Sequence, residues 1–175
     1  MSATPPGWEG ILDAGEEVLW QGRPDGTLSV RLSDAVQGFF GFVFTGFALF
    51  WIFLAASSGG FFWVFGLIPL GVGLGMSIGG PLWRAYRLRH TWYTLTTQRA
   101  FIATDNPVSG RNLMAYPVTP ESPLKLVEAN PGSVHFAETT RRNKNGTFTV
   151  PVGFERIHDA RDVFAQMRAI QKEAK

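Results

Sequence analysis

Hydrophobic positions are distributed unevenly along this chain of 175 residues, and one long neutral stretch separates two charged parts. From Ala35 to Trp83, 49 residues pass without a single Asp, Glu, Lys, Arg or His. The stretch divides at residues 57–60 into two apolar runs, 35–56 and 61–80. Each run has the length that an α-helix needs to cross about 30 Å of hydrocarbon. The pattern therefore predicts a two-helix transmembrane hairpin.

Two apolar helices can also form the buried centre of a soluble protein. Only about 126 residues lie outside the neutral stretch. Such a short remainder cannot cover two helices that are apolar on all sides. We therefore favour the membrane interpretation.

Small residues form a stripe in the second apolar run, where Gly71, Gly75 and Gly79 recur every four residues. A stripe of this kind lets another helix approach closely, which predicts a helix-packing face. Two partners for that face are open: the first helix of the same hairpin, or a second copy of the chain or another membrane protein. Pro69 is expected to bend this helix near its middle.

Aromatic residues lie near both predicted membrane interfaces, namely Trp51, Trp63, Trp83 and Tyr86. Amphipathic rings are favoured at the headgroup level, so these residues are predicted interface anchors rather than ligand contacts.

Arginines flank the hairpin, whereas its connecting loop carries no charge. Arg23 and Arg31 precede it, and Arg84, Arg87 and Arg89 follow it. Lys and Arg concentrate on the cytoplasmic side of membranes, so we expect both termini in the cytoplasm.

Charge is also divided between the two ends of the chain, with a net charge of −4 over residues 1–34 and +6 over residues 84–175. A basic C-terminal part suits a surface that faces anionic phospholipid headgroups. The densest basic patch is a predicted hairpin tip, for which a solvated turn is the alternative. The candidate headgroup contacts are Arg84, Arg87, Arg89, Arg141, Arg142 and Lys144.

After Arg89 the pattern of apolar positions changes from helical to β-like. Six β-prone runs follow, separated by Pro, Gly, Asn and Asp: residues 91–95, 100–104, 112–118, 124–128, 133–138 and 147–152. The first two are expected to form a hairpin, and Asn145-Gly146 is typical of a two-residue turn. Residues 17–21 are a possible seventh strand.

The chain ends on a predicted helix, which Asp159 can cap and which carries one apolar face: Ile157, Ala160, Val163, Phe164, Met167 and Ile170. The resulting fold class is an α+β membrane protein, in which the hairpin is joined to a small antiparallel β-barrel or sandwich of six or seven strands, closed by the C-terminal helix. The predicted organisation is a cytoplasmic segment 1–34, a hairpin 35–83 and a β-rich domain 91–175.

Three segments carry a resemblance to a known family. They are Glu16-Glu17-Val18-Leu19-Trp20-Gln21-Gly22-Arg23, Tyr93-Thr94-Leu95-Thr96-Thr97-Gln98-Arg99, and Phe154-Glu155-Arg156-Ile157-His158-Asp159. With two spans after the first segment, the chain resembles bacterial membrane proteins with a pleckstrin-homology-like (PH-like) domain, over residues 16–23 and 91–171. The resemblance implies a seven-stranded barrel with a C-terminal helix, a fold used mainly to bind lipid or protein. Because the turn at Gln98-Arg99 offers no basic inositol-phosphate loop, phosphoinositide recognition is not expected.

No constellation of residues typical of an enzyme is visible in the sequence. The chain has no cysteine, and His90, His135 and His158 are too far apart for a metal-ligand spacing. The basic patch lacks the interleaved aromatics of a nucleic-acid site. We therefore expect no catalytic residue, metal, cofactor, small-molecule substrate or nucleic-acid partner.

Two hypotheses about function follow. In the first, the protein is a non-enzymatic PH-like binding module, anchored in the bacterial inner membrane, that docks a protein partner or a lipid headgroup at the cytoplasmic face. In the second, it is an accessory or assembly subunit that packs into a larger membrane complex, or into a homo-oligomer, through its hairpin.

Overall fold

The computed structural model describes residues 7–28, 32–107, 110–143 and 146–174. The chain divides into two compact units. We call Gly26–Tyr86 the helical unit, and Met1–Asp25 together with Arg87–Lys175 the sheet unit.

The helical unit is built from two long helices, α1 (Leu32–Ser57) and α2 (Leu67–Arg89), which extends beyond the unit. A 3₁₀ helix at Phe61–Gly66 precedes α2. Both the 26-residue stretch Leu32–Ser57 and the 29-residue stretch Phe61–Arg89 are long and apolar enough to cross a membrane. The sequence predicted both helices, but it placed the end of the second one at residue 80, nine residues too early.

Pro69 lies in the first turn of α2, not near the middle of the helix as predicted. Amide groups in a first turn have no intrahelical acceptor, so a proline there breaks no hydrogen bond. Pro81 is the proline in the helix interior.

Large apolar side chains cover the outside of α1 and α2. Phe42 is 74% exposed, Phe53 is 71% exposed and Ile68 is 70% exposed. Only 11% of the residues in the most apolar window of each helix are buried. The alternative of two helices buried in a soluble core is therefore wrong for this structure.

The sheet unit contains two antiparallel sheets and one helix within its described residues. The four-stranded sheet has the order β1-β2-β3-β4, and the three-stranded sheet has the order β5-β6-β7. The strands are β1 (Val18–Gly22), β2 (Thr91–Thr96), β3 (Arg99–Asn106), β4 (Gly110–Pro117), β5 (Lys125–Val127), β6 (Gly132–Asn143) and β7 (Gly146–Ile157), and the helix is α3 (Ala160–Glu173).

One apolar core lies between the two sheets and under α3. Leu95 from the first sheet, Phe136 and Phe154 from the second, and Met167 from α3 are at most 1% exposed. Tyr93 bridges the sheets, because its ring stacks on Phe154 with centroids 4.7 Å apart. The predicted apolar face of the C-terminal helix packs on this core from Ala160 to Ile170, as expected from its periodicity. Ile157, which was predicted to share that face, is the last residue of β7 instead.

All seven predicted strands are present, including the early one, which pairs with β2. The β2–β3 hairpin is also confirmed. The turn at Asn145-Gly146 falls partly outside the described residues, although Asn143 pairs with Gly146. Asp159 precedes α3 as expected, but its side chain makes no capping hydrogen bond.

Of the two predicted alternatives, barrel or sandwich, the closed barrel is wrong, because the two sheets do not join through hydrogen bonds. The connection between β4 and β5 explains the break at one edge. Pro117 is the last residue of β4, Pro120 and Pro123 lie in the connection, and a proline has no amide hydrogen to donate to a ladder. The β-rich part is therefore a pair of antiparallel sheets capped by a helix.

Candidate functional site

The contact between α1 and α2 does not involve the predicted glycine stripe. A Cβ atom added to Gly71, Gly75 or Gly79 would meet nothing within 4 Å. The first of the two alternatives, contact with α1, is therefore wrong for these glycines. Contact with a second copy or another membrane protein stays a prediction.

The contact between α1 and α2 uses a neighbouring set of small residues. A Cβ atom on Gly41 would lie 2.6 Å from the Ser77 amide nitrogen, and one on Gly73 would lie 2.5 Å from Thr45 Oγ1. Thr45 donates a hydrogen bond to the Gly41 carbonyl, and Ser77 donates one to the Gly73 carbonyl. Each hydroxyl thus has its hydrogen-bond acceptor within its own helix, and the small side chains let the two backbones approach closely.

Arg84, a predicted headgroup contact, forms a two-point ion pair instead. Its two terminal nitrogens donate hydrogen bonds of 2.8 and 2.9 Å to the two oxygens of Asp34. The side chains are 16% and 10% exposed. This pair joins the start of α1 to the last part of α2 and leaves Arg84 poorly placed to reach a phosphate.

Four of the other five predicted headgroup contacts lie on exposed positions. Arg87 and Arg89 are in the last turn of α2. Arg141 and Arg142 lie near the end of β6, opposite Phe148 and Thr147 of β7. Lys144 lies outside the described residues. Because β5 pairs only with residues 133–135 of β6, the ends of β6 and β7 form a two-stranded ribbon with mostly exposed side chains.

The predicted anchors are partly exposed. Trp51 is 38% exposed and Trp63 is 37% exposed. Trp83 and Tyr86 stack, with ring centroids 5.8 Å apart. A role at a membrane interface stays a prediction for all four.

Among the described residues, no group of three or more His, Asp or Glu side chains could hold a metal ion. The sheet unit carries an open groove of about 780 Å³. This volume lies in the range of ligand-binding clefts.

The groove lies on the outer face of the four-stranded sheet. Tyr93 and Leu95 of β2 point into the core, so the alternating residue Trp92 points outwards. By the same alternation Phe101 and Ala103 of β3 and Leu113 of β4 face outwards. These four residues line the groove together with Trp8 and Ile11.

The N-terminal segment, residues 7–17, is pinned to this outer face by a buried polar cluster. Glu16 accepts hydrogen bonds from Arg99 and from Thr96, and its side chain is fully buried. Thr96 also accepts a 2.9 Å hydrogen bond from the Arg99 amide, which closes the β2–β3 turn. Asp13 lies 3.0 Å from the Arg99 guanidinium.

The hydrogen bonds of this cluster stabilise the charged forms of its members. Burial raises the pKa of Glu16, but the hydrogen bonds from Arg99, Thr96 and the Asp13 amide lower it by more. The pKa of Glu16 therefore lies below its ordinary value. The hydrogen bond to Glu16 raises the pKa of Arg99. The N-terminal segment is thus held by a full ion pair at neutral pH.

Sequence reasoning missed both the groove and the Glu16–Arg99 pair. Glu16 and Arg99 lie in separate segments of the sequence, and no local pattern shows that side chains 83 positions apart make contact. One signal was available for the groove. Trp92 and Tyr93 are adjacent in β2, so this strand carries an aromatic residue on each face of the sheet. An antiparallel sheet with one solvated face needs apolar side chains only on its buried face, so the second aromatic residue indicates a contact on the outer face.

No protein-family model, no curated protein and no solved structure matches this chain. Its function is therefore inferred from the geometry of its own residues.

Proposed function

We propose that this protein is a membrane-anchored, non-enzymatic binding module whose sheet unit docks a protein partner or a lipid headgroup. The observation that carries the proposal is the outward placement of the phenylalanines and leucines of α1 and α2. An α-helix of 26 residues is about 39 Å long, more than the hydrocarbon core of a bilayer. A surface of this kind is costly in water and favourable in lipid.

The distribution of cations supports an orientation with both termini in the cytoplasm of a bacterial cell. Arg87 and Arg89 close α2, whereas the loop between the helices carries no charge. Cationic residues next to a span favour the cytoplasmic leaflet, whose anionic phospholipids attract each one by about 1 kcal/mol. Since Arg84 is engaged by Asp34, Arg87 and Arg89 are the main contributors on this side.

The assignment of the sheet unit to the PH-like class rests on motif and architecture. Seven antiparallel strands followed by a C-terminal helix support it, although the two sheets do not close into the barrel that the resemblance implies. The contact of Glu16 with Thr96 and Arg99 joins two of the segments on which the resemblance rests. The resemblance to this class implies binding of lipid or protein rather than catalysis.

Membrane extraction tests the anchor. The chain is expected to stay with the membrane pellet after alkaline carbonate washing and to need detergent for release. A cytoplasm-dependent reporter fused after Lys175 should be active, and a periplasm-dependent reporter should be silent. Recovery in the aqueous supernatant, or activity of the periplasmic reporter, would contradict the proposal.

A second function, as an accessory or assembly subunit of a larger membrane complex, is favoured by the open stripe of Gly71, Gly75 and Gly79. Gly75→Leu should abolish co-migration with a large complex in mild detergent if that face is the contact. Gly46→Leu is the matched control, because a Cβ there also meets open space but on α1. Unchanged recovery of the Gly75 variant would remove this function.

A further inference from the structure

Two arginines lie over aromatic rings on the outer face of the four-stranded sheet. The guanidinium carbon of Arg99 is 5.2 Å from the ring centroid of Phe101. The guanidinium carbon of Arg23 is 4.8 Å from the ring centroid of Trp92. In the sheet, Phe101 pairs with Thr94 and Trp92 pairs with Ala103, so the two rings share one face. The same recognition chemistry therefore occurs twice, side by side.

The first of these pairs already binds a peptide, the N-terminal segment of the same chain. Trp8 contacts Phe101 edge to face, with centroids 5.1 Å apart. The carboxylates of Asp13 and Glu16 bind Arg99, which also donates a 3.3 Å hydrogen bond to the Ile11 carbonyl. This half of the face thus recognises a large apolar side chain followed by acidic residues.

The second pair remains open to the groove. Trp92 forms the floor with Ala103 and Leu113, and Leu113 is 42% exposed. Within the described ranges, no carboxylate forms an ion pair with Arg23. Arg111, across the sheet, is 89% exposed and reaches Asp105 at 3.4 Å, a contact between exposed groups that contributes little.

We propose that this open half binds a segment of a partner protein that carries a large apolar residue next to acidic residues. The apolar side chain packs on Trp92 and Leu113, and the carboxylates bind Arg23 and Arg111. The proposal rests on the proposed function, that the sheet unit is a binding module, and names the chemistry of its partner. A peptide is favoured over a lipid because the neighbouring half of the same face already binds one by these contacts.

The test uses the full chain in nanodiscs of zwitterionic lipid and a fluorescent synthetic peptide with the sequence of residues 7–17. That peptide combines Trp and Ile with four side-chain carboxylates, the chemistry that the groove should recognise. We expect saturable binding by anisotropy. The double variant Arg23→Glu with Arg111→Glu should bind at least about tenfold more weakly, because two attractions become repulsions. Trp92→Ser should weaken binding through loss of the apolar floor.

Two controls make the result specific. Arg142→Glu changes the charge at an exposed arginine away from the groove and should bind the peptide within about twofold of the unchanged chain. A peptide with its carboxylates replaced by amides should bind at least about tenfold more weakly. Far-ultraviolet circular dichroism of each variant checks that the fold is intact.

Three outcomes would overturn the proposal: no saturable binding of the peptide, equal binding by the Arg23 and Arg111 double variant, or a change in tryptophan fluorescence that requires Trp92 and that dihexanoyl phosphatidylglycerol causes but the peptide does not. The last outcome would assign the groove to a lipid. Photo-cross-linkers at Leu113 and at Phe148 in intact cells separate this failure from that of the proposed function. Cross-links to a protein from Phe148 alone would support the binding module but exclude the groove as its docking site. The absence of cross-links from both positions would contradict both proposals.

Discussion

The helical unit and the sheet unit place their apolar side chains in opposite directions. In the sheet unit, Phe136 and Phe154 are buried between the sheets. In the helical unit, Phe42 and Phe53 point outwards, while glycines and hydroxyl groups lie between the helices. Water drives apolar groups inwards, whereas in lipid, helices associate through close backbone packing and polar contacts. The proposed membrane anchor accounts for this contrast.

The largest expected difference between the units comes from truncating one phenylalanine in each. Phe154→Ala should lower the free energy of unfolding of the sheet unit by about 3 to 5 kcal/mol, because it removes a fully buried ring that contacts Tyr93, Trp20 and Phe136. Phe42→Ala, on the outside of α1, should change helix packing by less than about 0.5 kcal/mol. Amide hydrogen exchange in nanodiscs measures both. Equal losses of stability in the two variants would contradict the contrast between the two units.

A second prediction concerns the polar contact at the base of the helical unit. Asp34→Asn should weaken the pairing of α1 with α2 by about 3 kcal/mol, because it leaves a poorly exposed arginine without its carboxylate. Unfolding in a dodecyl sulfate titration, followed by circular dichroism, reports the loss. The exchanged pair Asp34→Arg with Arg84→Asp should restore most of it. No recovery in the exchanged variant would argue against a direct ion pair.

A third prediction separates the two glycine faces of α2. Gly73→Leu should destabilise the helix pair by about 2 kcal/mol or more, because its Cβ would collide with Thr45. Gly71→Leu is the matched control, two positions away and facing open space, and should leave the same titration unchanged. The reverse result would place the contact between the helices on the stripe that the sequence predicted.

The smallest effect is expected from the cluster that holds the N-terminal segment. Glu16→Gln should lower the free energy of unfolding of the sheet unit by about 1.5 kcal/mol at neutral pH, because a charged hydrogen-bond acceptor becomes neutral. The folded-state pKa of Glu16 lies below its ordinary value of 4.5. Its contribution is therefore complete above about pH 4.5 and is lost as the pH falls through the lower, folded-state pKa.

Thermal unfolding at neutral pH and near pH 3, followed by near-ultraviolet circular dichroism, measures this dependence. The unchanged chain and the Glu16→Gln variant should differ at neutral pH and converge in acid. A constant difference at both pH values would show that the ionised carboxylate is not responsible.

Much of the fold could be predicted because its signals are local. The neutral stretch from Ala35 to Trp83 marks the two helices, and each strand is bounded by turn residues. Strand closure could not be predicted, because it depends on whether β4 and β5 bond across the prolines between them. The periodicity of α2 was also ambiguous. Gly71-Gly75 and Gly73-Ser77 both repeat every four residues, and only the position of α1 selects the second.

The groove could not be predicted for a related reason. Trp8, Arg23, Trp92 and Leu113 come from four separate parts of the chain. They meet because β1 and β4 lie on either side of the β2–β3 hairpin. That strand order is a property of the whole sheet rather than of any segment. The sequence supplied the aromatic and basic residues, but not their positions relative to one another.

The central claim, that α1 and α2 are dissolved in lipid, is tested most directly by the accessibility of single cysteines. The chain has no cysteine of its own, so Phe42→Cys and Phe148→Cys each introduce one reporter. Phe42 is 74% exposed and Phe148 is 46% exposed, so in water the first should react with a charged maleimide at least as fast. We predict that only Phe148→Cys reacts in native membranes that have been permeabilised to the reagent. Comparable labelling of Phe42→Cys would contradict the account.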